Sequence, residues 1–162
     1  GKIEEITQYL KTAQSDMDAI TPIQYCENET VNLILSAFST KAKKAGIILT
    51  LDTKLPKMLP LSNTELCSLL SNGLENAIHA CENITDSRER RIKLRMFLKN
   101  TKLCIEIQNS YQIEPLFYQN IPISRIEGHG FGTKSMVHIV EKHKGIFQFR
   151  IKDEWFIFQA TI

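Results

Sequence analysis

The sequence predicts an α+β fold, a two-layer sandwich in which a mixed sheet is covered on one face by helices. Three observations point there. Residues 92–98 and 103–108 alternate and are joined by four polar residues, residues 146–151 and 155–162 form a second such pair, and the amphipathic stretches before and between them keep helical spacing. The order α, α, β, α, β, β, loop, α, β, β buries its apolar faces best in two layers. At 162 residues the chain holds one core and is short for two ordinary domains, and 43% hydrophobic against 23% charged residues excludes disorder.

The elements follow in order. Ile3, Ile6, Leu10, Ala13, Met17 and Ile20 recur at steps of three and four, the heptad spacing of a helix that packs along another helix, and Thr21-Pro22 ends it. The same stretch also reads as a short amphipathic helix lying on its own domain. A second helix covers about 28–45, with Val31, Ile34, Leu35, Phe38 and Ala42 on one face, lysines 41, 43 and 44 in the last turn, and Gly46 as its stop. Residues 47–51 read as a strand, and a capped helix runs from about 62 to 84. After the first hairpin, Pro115 and Pro122 interrupt any period over 110–127, which predicts a long loop of the kind that forms lids. Gly128 to Gly132 opens a helix reaching about 144, and Gly145 ends it.

Composition excludes several function classes. Cys26, Cys67, Cys81 and Cys104 form no CxxC pair and have no histidine at ligand spacing, so reduced, buried thiols in a cytoplasmic compartment are expected. No apolar run approaches the ~20 residues that cross a bilayer, which predicts a soluble chain without membrane contact of its own. Net charge is +2 and the Lys and Arg residues are scattered along the chain, giving no argument for nucleic acid as a partner.

Two segments carry chemistry. In the helix of residues 62–84, Asn72, Asn76, His79 and Asn83 fall on one polar stripe opposite Leu66, Leu70, Leu74 and Cys81. Asparagine is a poor mid-helix residue because its amide competes with the backbone. A Mg²⁺ that also binds phosphates would explain it, since amide oxygens are hard neutral ligands; a solvated polar face is the alternative. The second segment, Gly128-His129-Gly130-Phe131-Gly132-Thr133, strips side chains from a turn that opens a helix, so that its amides can face a phosphate; a flexible turn looks the same. The chain has no GxxxxGK[ST], and its glycines do not follow a buried strand as a dinucleotide fingerprint requires.

Asn72-Gly73-Leu74-Glu75-Asn76-Ala77-Ile78-His79-Ala80 resembles the N box of the GHKL superfamily, and Gly128 to Val137 resembles its second glycine box, in the form seen in bacterial sensor histidine kinases. The run 41–56 leading into the N box looks like the peptide-sensing quorum receptor branch. That resemblance implies the Bergerat ATP-binding fold, ATP and Mg²⁺ as ligands, and transfer of the γ-phosphate to a histidine on a separate dimerisation domain. It implies catalytic and metal roles for Asn72 and Asn76, and nucleotide contacts from Asn76, His79, Asn109, Arg125, Gly128, Gly130, Phe131, Gly132, Thr133 and Lys134. Residues 1–22 would be the tail of the dimerisation helices, and 23–162 the catalytic domain with its lid at about 110–127. A homodimeric, membrane-anchored sensor with its cognate response regulator is the implied setting of a cytoplasmic domain.

Three positions depart from the family pattern. Asn109 stands where an aspartate usually reads adenine, and a neutral amide accepts less strongly than a carboxylate. His79 stands where many relatives place a phosphate-contacting lysine. Asn72 stands where hydrolytic relatives carry a glutamate, and an amide cannot take a proton from water. Two other functions therefore accompany the kinase expectation: a nucleotide-binding regulatory or pseudokinase module, and an anti-sigma-factor-type serine kinase.

Overall fold

The computed structural model describes residues 1–10, 24–124 and 131–162, with Phe131 described by its backbone alone. The elements are α1 (2–10), α2 (Glu29–Lys44), β1 (Ile48–Lys54), α3 (Asn63–Glu82), β2 (Arg91–Lys99), β3 (Lys102–Ser110), β4 (Leu116–Tyr118), β5 (Ile121–Ile123), α4 (Phe131–Lys142), β6 (Ile146–Lys152) and β7 (Trp155–Thr161). The expected α+β sandwich is present. Five strands form one mixed sheet in the order β1-β2-β3-β7-β6, and α2, α3 and α4 share a core with one of its faces.

Local chemistry sets the helix ends. The Asn28 side chain accepts from the Val31 amide at 2.9 Å, and Gly46 leaves α2 at φ +67, a conformation that costs glycine nothing. Ser62 and Glu65 form a reciprocal capping box at the start of α3. β1 pairs with β2 in parallel, so the chain must cross over between them, and α3 is that crossover. The remaining pairs of the large sheet are antiparallel, with β7 lying between β3 and β6. Leu66, Leu69, Leu70 and Leu74 of α3 are at most 1% exposed and pack with Ile92, Leu94, Met96, Ile105 and Ile107 of β2 and β3.

The structure departs from the sequence expectations in several places. Residues 110–127 are not a plain loop, because Leu116–Tyr118 and Ile121–Ile123 pair as a small antiparallel hairpin. Its turn is Gln119-Asn120, both at positive φ, and Pro122 is tolerated because a two-stranded ribbon is all edge. Gly145 does not supply the left-handed stop of α4; Lys144 does, at φ 55. Gly145 is needed for another reason, since a Cβ there would come within 2.5 Å of the Thr161 carbonyl on β7.

The four cysteines are free, but only Cys26 and Cys81 are buried; Cys104 is intermediate and Cys67 exposed. In α1, Ile3, Ile6 and Leu10 are exposed, and the remaining heptad positions Ala13, Met17 and Ile20 lie outside the described residues. Among the described residues no helix is long and apolar enough to cross a membrane.

Candidate functional site

The polar stripe of α3 faces the first turn of α4. Asn76 Nδ2 donates to Thr133 Oγ1 at 3.4 Å, tying the asparagine helix to the helix that the glycine loop opens. One turn earlier, Asn72 Nδ2 donates back to the Ser68 carbonyl at 2.8 Å, and its Oδ1 lies 2.7 Å from the point a Cβ on Gly132 would occupy. Only glycine at 132 lets the two helices come this close. Gly73 has a matching role, since a Cβ there would meet Ile107 Cδ1 at 2.5 Å and Met136 Cε at 3.2 Å. Small residues on α3 and α4 thus hold their polar faces together.

A cavity of about 410 Å³ opens beside this contact, within the range of small-molecule sites. Asn76, His79 and Asn83 form one wall, Thr133 and Met136 a second, and Ile107 and Asn109 of β3 contribute a third. Tyr111, Ile113, Pro115, Pro122 and Ile123 close it from the segment around β4 and β5, and Phe149, Phe156 and Phe158 supply aromatic surface from β6 and β7. The hairpin is held to the body partly by Phe117, whose ring centroid lies 6.2 Å from that of Phe156.

Asn109 is 3% exposed, and its Nδ2 donates to the Ser110 carbonyl at 3.0 Å, which fixes the rotamer and leaves the amide oxygen as the acceptor. Burial pushes the Tyr111 hydroxyl above its ordinary pKa, with Glu114 and Glu154 adding to the rise. His79 is exposed, with Nδ1 4.0 Å from Glu82 Oε2. The cavity is therefore lined by apolar and aromatic side chains from the strands and Met136, and by amides, the Tyr111, Ser124 and Thr133 hydroxyls, the His79 imidazole and the Glu82 carboxylate elsewhere.

That arrangement suits a planar aromatic group joined to an anionic, metal-binding tail. Among the described residues no cluster of three or more His, Cys, Asp or Glu could hold a metal by itself. A divalent cation here would take amide or hydroxyl oxygens and complete its shell with water and ligand oxygens, as Mg²⁺ does with phosphates. The donors present fit such an ion.

Of the residues singled out from the sequence, Asn76, His79, Asn109 and Thr133 line the cavity. Asn72 and Gly132 meet beside it, and Lys134 is exposed on the same turn of α4. Gly128, Gly130 and Arg125 lie outside the described residues, as does the Phe131 side chain. Sequence reasoning missed Tyr111, Met136 and the three phenylalanines. Phe156 and Phe158 alternate toward the helix layer, but nothing in their spacing says that the cavity reaches them.

A model of the GHKL domain matches residues 61–162, which spans both motifs and every element from α3 to β7. The chain belongs to the GHKL family. A search of curated protein sequences found no significant match. Among solved structures, the catalytic domain of the histidine kinase ThkA superposes with a TM-score of 0.67 at 22% identity, over 83% of this chain and 91% of that one. The mycobacterial sensor histidine kinase MprB gives 0.62 at 14% identity, over 83% and 93%. The Acinetobacter baumannii histidine kinase AdeS gives 0.57 at 18%, over 82% and 62%. At these identities the likeness is one of fold: this GHKL domain is built as histidine kinase catalytic domains are.

Proposed function

We propose that this GHKL domain is the catalytic, ATP-binding part of a two-component sensor histidine kinase, and that it transfers the γ-phosphate of ATP to a histidine on a separate dimerisation domain. The observation that carries this reading is the Asn76–Thr133 contact at the mouth of the cavity, with the buried Asn109 amide deeper in the same cavity. Asn109 would accept from the adenine amino group, between the apolar surfaces of Ile107, Met136 and Phe156. The amides at the start of α4, with Gly128, Gly130, Gly132 and Thr133, would cradle the phosphates, where the helix dipole favours negative charge.

Mg²⁺, when bound, neutralises charge developing on the transferred phosphoryl group. Asn76 would hold it, with Asn72 assisting from the preceding turn. Phe131, Lys134 and His79 would border the phosphates, and Arg125 in the lid would clamp the γ-phosphate. Asn72 cannot accept a proton, so the site has no base at that position to activate water. Transfer to a ready nucleophile is favoured over hydrolysis.

In this reading residues 1–22 end the dimerisation helices of a homodimer and 23–162 form the catalytic domain. The whole protein would be a membrane-anchored sensor with this domain in the cytoplasm, passing phosphate on to a response regulator. Its place in the peptide-sensing quorum branch rests on residues 41–56 alone. One observation favours a second reading, a regulatory module without phosphotransfer: the amide at Asn109 binds adenine less strongly than a carboxylate.

Calorimetric titration of a non-hydrolysable ATP analogue into the chain and into Asn76→Ala, with and without Mg²⁺, tests the proposal. Mg²⁺-dependent binding that the substitution weakens by about tenfold or more is the expected result. Weak, metal-independent binding would favour the regulatory reading. Supplying a histidine-bearing dimerisation domain with ATP should yield an acid-labile phosphate; an acid-stable one would mean a serine kinase.

A further inference from the structure

Behind Asn109 lies a layer of polar contacts that nucleotide binding as described above does not use. Ser110, the last residue of β3, is buried at the end of its strand. Its hydroxyl donates to the Glu89 carbonyl at 2.7 Å and accepts from the Arg91 amide at 2.9 Å, so both of its capacities are engaged by the stretch that enters β2. Its carbonyl accepts from the Asn109 side chain at 3.0 Å and from the Cys81 thiol of α3 at 3.7 Å. The same thiol lies 3.6 Å from the Arg91 carbonyl. Burial pushes the Cys81 thiol above its ordinary pKa, which keeps it protonated and able to donate.

A primary amide can present either its oxygen or its NH₂ group to a ligand, and an apolar wall does not choose between them. Asn109 stands in register with Ile92 on one side and Phe156 on the other, neither of which offers a side-chain hydrogen bond. The choice falls to Ser110. A backbone carbonyl can only accept, so Nδ2 must face it. Turned over, the Asn109 amide would set its oxygen against the Ser110 oxygen, acceptor to acceptor and away from water, which is costly. Among the described residues nothing donates to Asn109 Oδ1, and it remains an acceptor for whatever fills the cavity.

We propose that Ser110, backed by Cys81, is a positioning residue that sets base specificity: it locks Asn109 as an acceptor and so selects a base with an amino group at that point over one with an oxygen. The inference rests on the cavity being a nucleotide site and adds the source of its preference. Adenine and hypoxanthine differ at that point, amino in the first and oxo in the second. An unpinned asparagine would serve both bases, turning Nδ2 toward the oxo group. A pinned one meets that group oxygen to oxygen.

Calorimetry on the full chain with Mg²⁺ and non-hydrolysable triphosphate analogues of adenosine and inosine tests this. The parent should bind the adenosine analogue about tenfold more tightly or better, the worth of one hydrogen bond. In Ser110→Ala that ratio should fall toward one, chiefly through a gain for the inosine analogue. Ser110→Thr keeps the hydroxyl and should hold the ratio. A role in stability alone would weaken both analogues together and leave their ratio where it was. Cys81→Ala leaves the Ser110 hydroxyl in place and should lower the ratio by a smaller factor, which gives a second reading should Ser110→Ala fail to fold. Equal binding of the two analogues by the parent, or a ratio that none of these substitutions moves, would overturn the proposal and leave the nucleotide site standing. Binding of neither analogue would remove both.

Discussion

The cavity has two unlike walls. On one side α3 presents its asparagines from a helix whose leucines are at most 1% exposed and whose first turn carries a reciprocal cap. On the other, residues 112–114 and 116–120 are exposed, and the hairpin they contribute to has only two three-residue strands. One wall is fixed by burial, and the other can move at little energetic cost. Nucleotide binding at such a site should depend on the first wall for geometry and on the second for closure.

Substitutions can break that contrast. Leu70→Ala removes a fully buried side chain beneath the fixed wall, and unfolding by denaturant should show a loss of about 3–5 kcal/mol. Gly132→Ala should destabilise by about 1–3 kcal/mol, because the new methyl meets Asn72, and most of that cost should disappear in an Asn72→Ala background. A cost that is unchanged in the double mutant would mean the two helices do not meet as described.

Glu65 links the same wall to the far end of α4. Its hydrogen bond to His143 Nε2 at 2.6 Å holds the carboxyl at about 2, below its ordinary 4.5. A lowered folded value contributes stability above pH 4.5 that fades as the pH falls toward 2. Glu65→Gln should therefore be less stable than the parent at neutral pH, by about 1–2 kcal/mol, and the gap should close across that acid window. A gap independent of pH would remove the carboxylate from the explanation. On the hairpin side, Phe117→Ala should leave the thermal midpoint nearly unchanged yet weaken ATP-analogue binding a few-fold, since that ring packs against Phe156. An equal loss of stability would make the hairpin part of the core.

The two walls also differ in how far the sequence discloses them. Helical spacing, Ser62 with Glu65, and two asparagines one turn apart made α3 legible, because periodicity and capping are local signals. The hairpin β4–β5 was not, since Pro122 and a Gln119-Asn120 turn without glycine argue against strands when read locally. Gly145 was read as a helix stop, whereas its requirement comes from Thr161, sixteen positions on. Asn76 was singled out by residue type and helical position and Asn109 by the family resemblance, and both line the cavity, but Tyr111, Met136 and Phe149 join them only through tertiary packing.

The place of β7 between β3 and β6 has a consequence for how the domain is made. A ribosome that has not yet released the stretch after Trp155 holds a sheet with its middle missing, and Phe156 and Phe158 are still absent from the cavity. Chains that stop before Trp155, or whose stretch after Trp155 is still inside the ribosome, should therefore expose the open edges of β3 and β6 to chaperones and proteases, and should acquire nucleotide only once that stretch has joined the sheet.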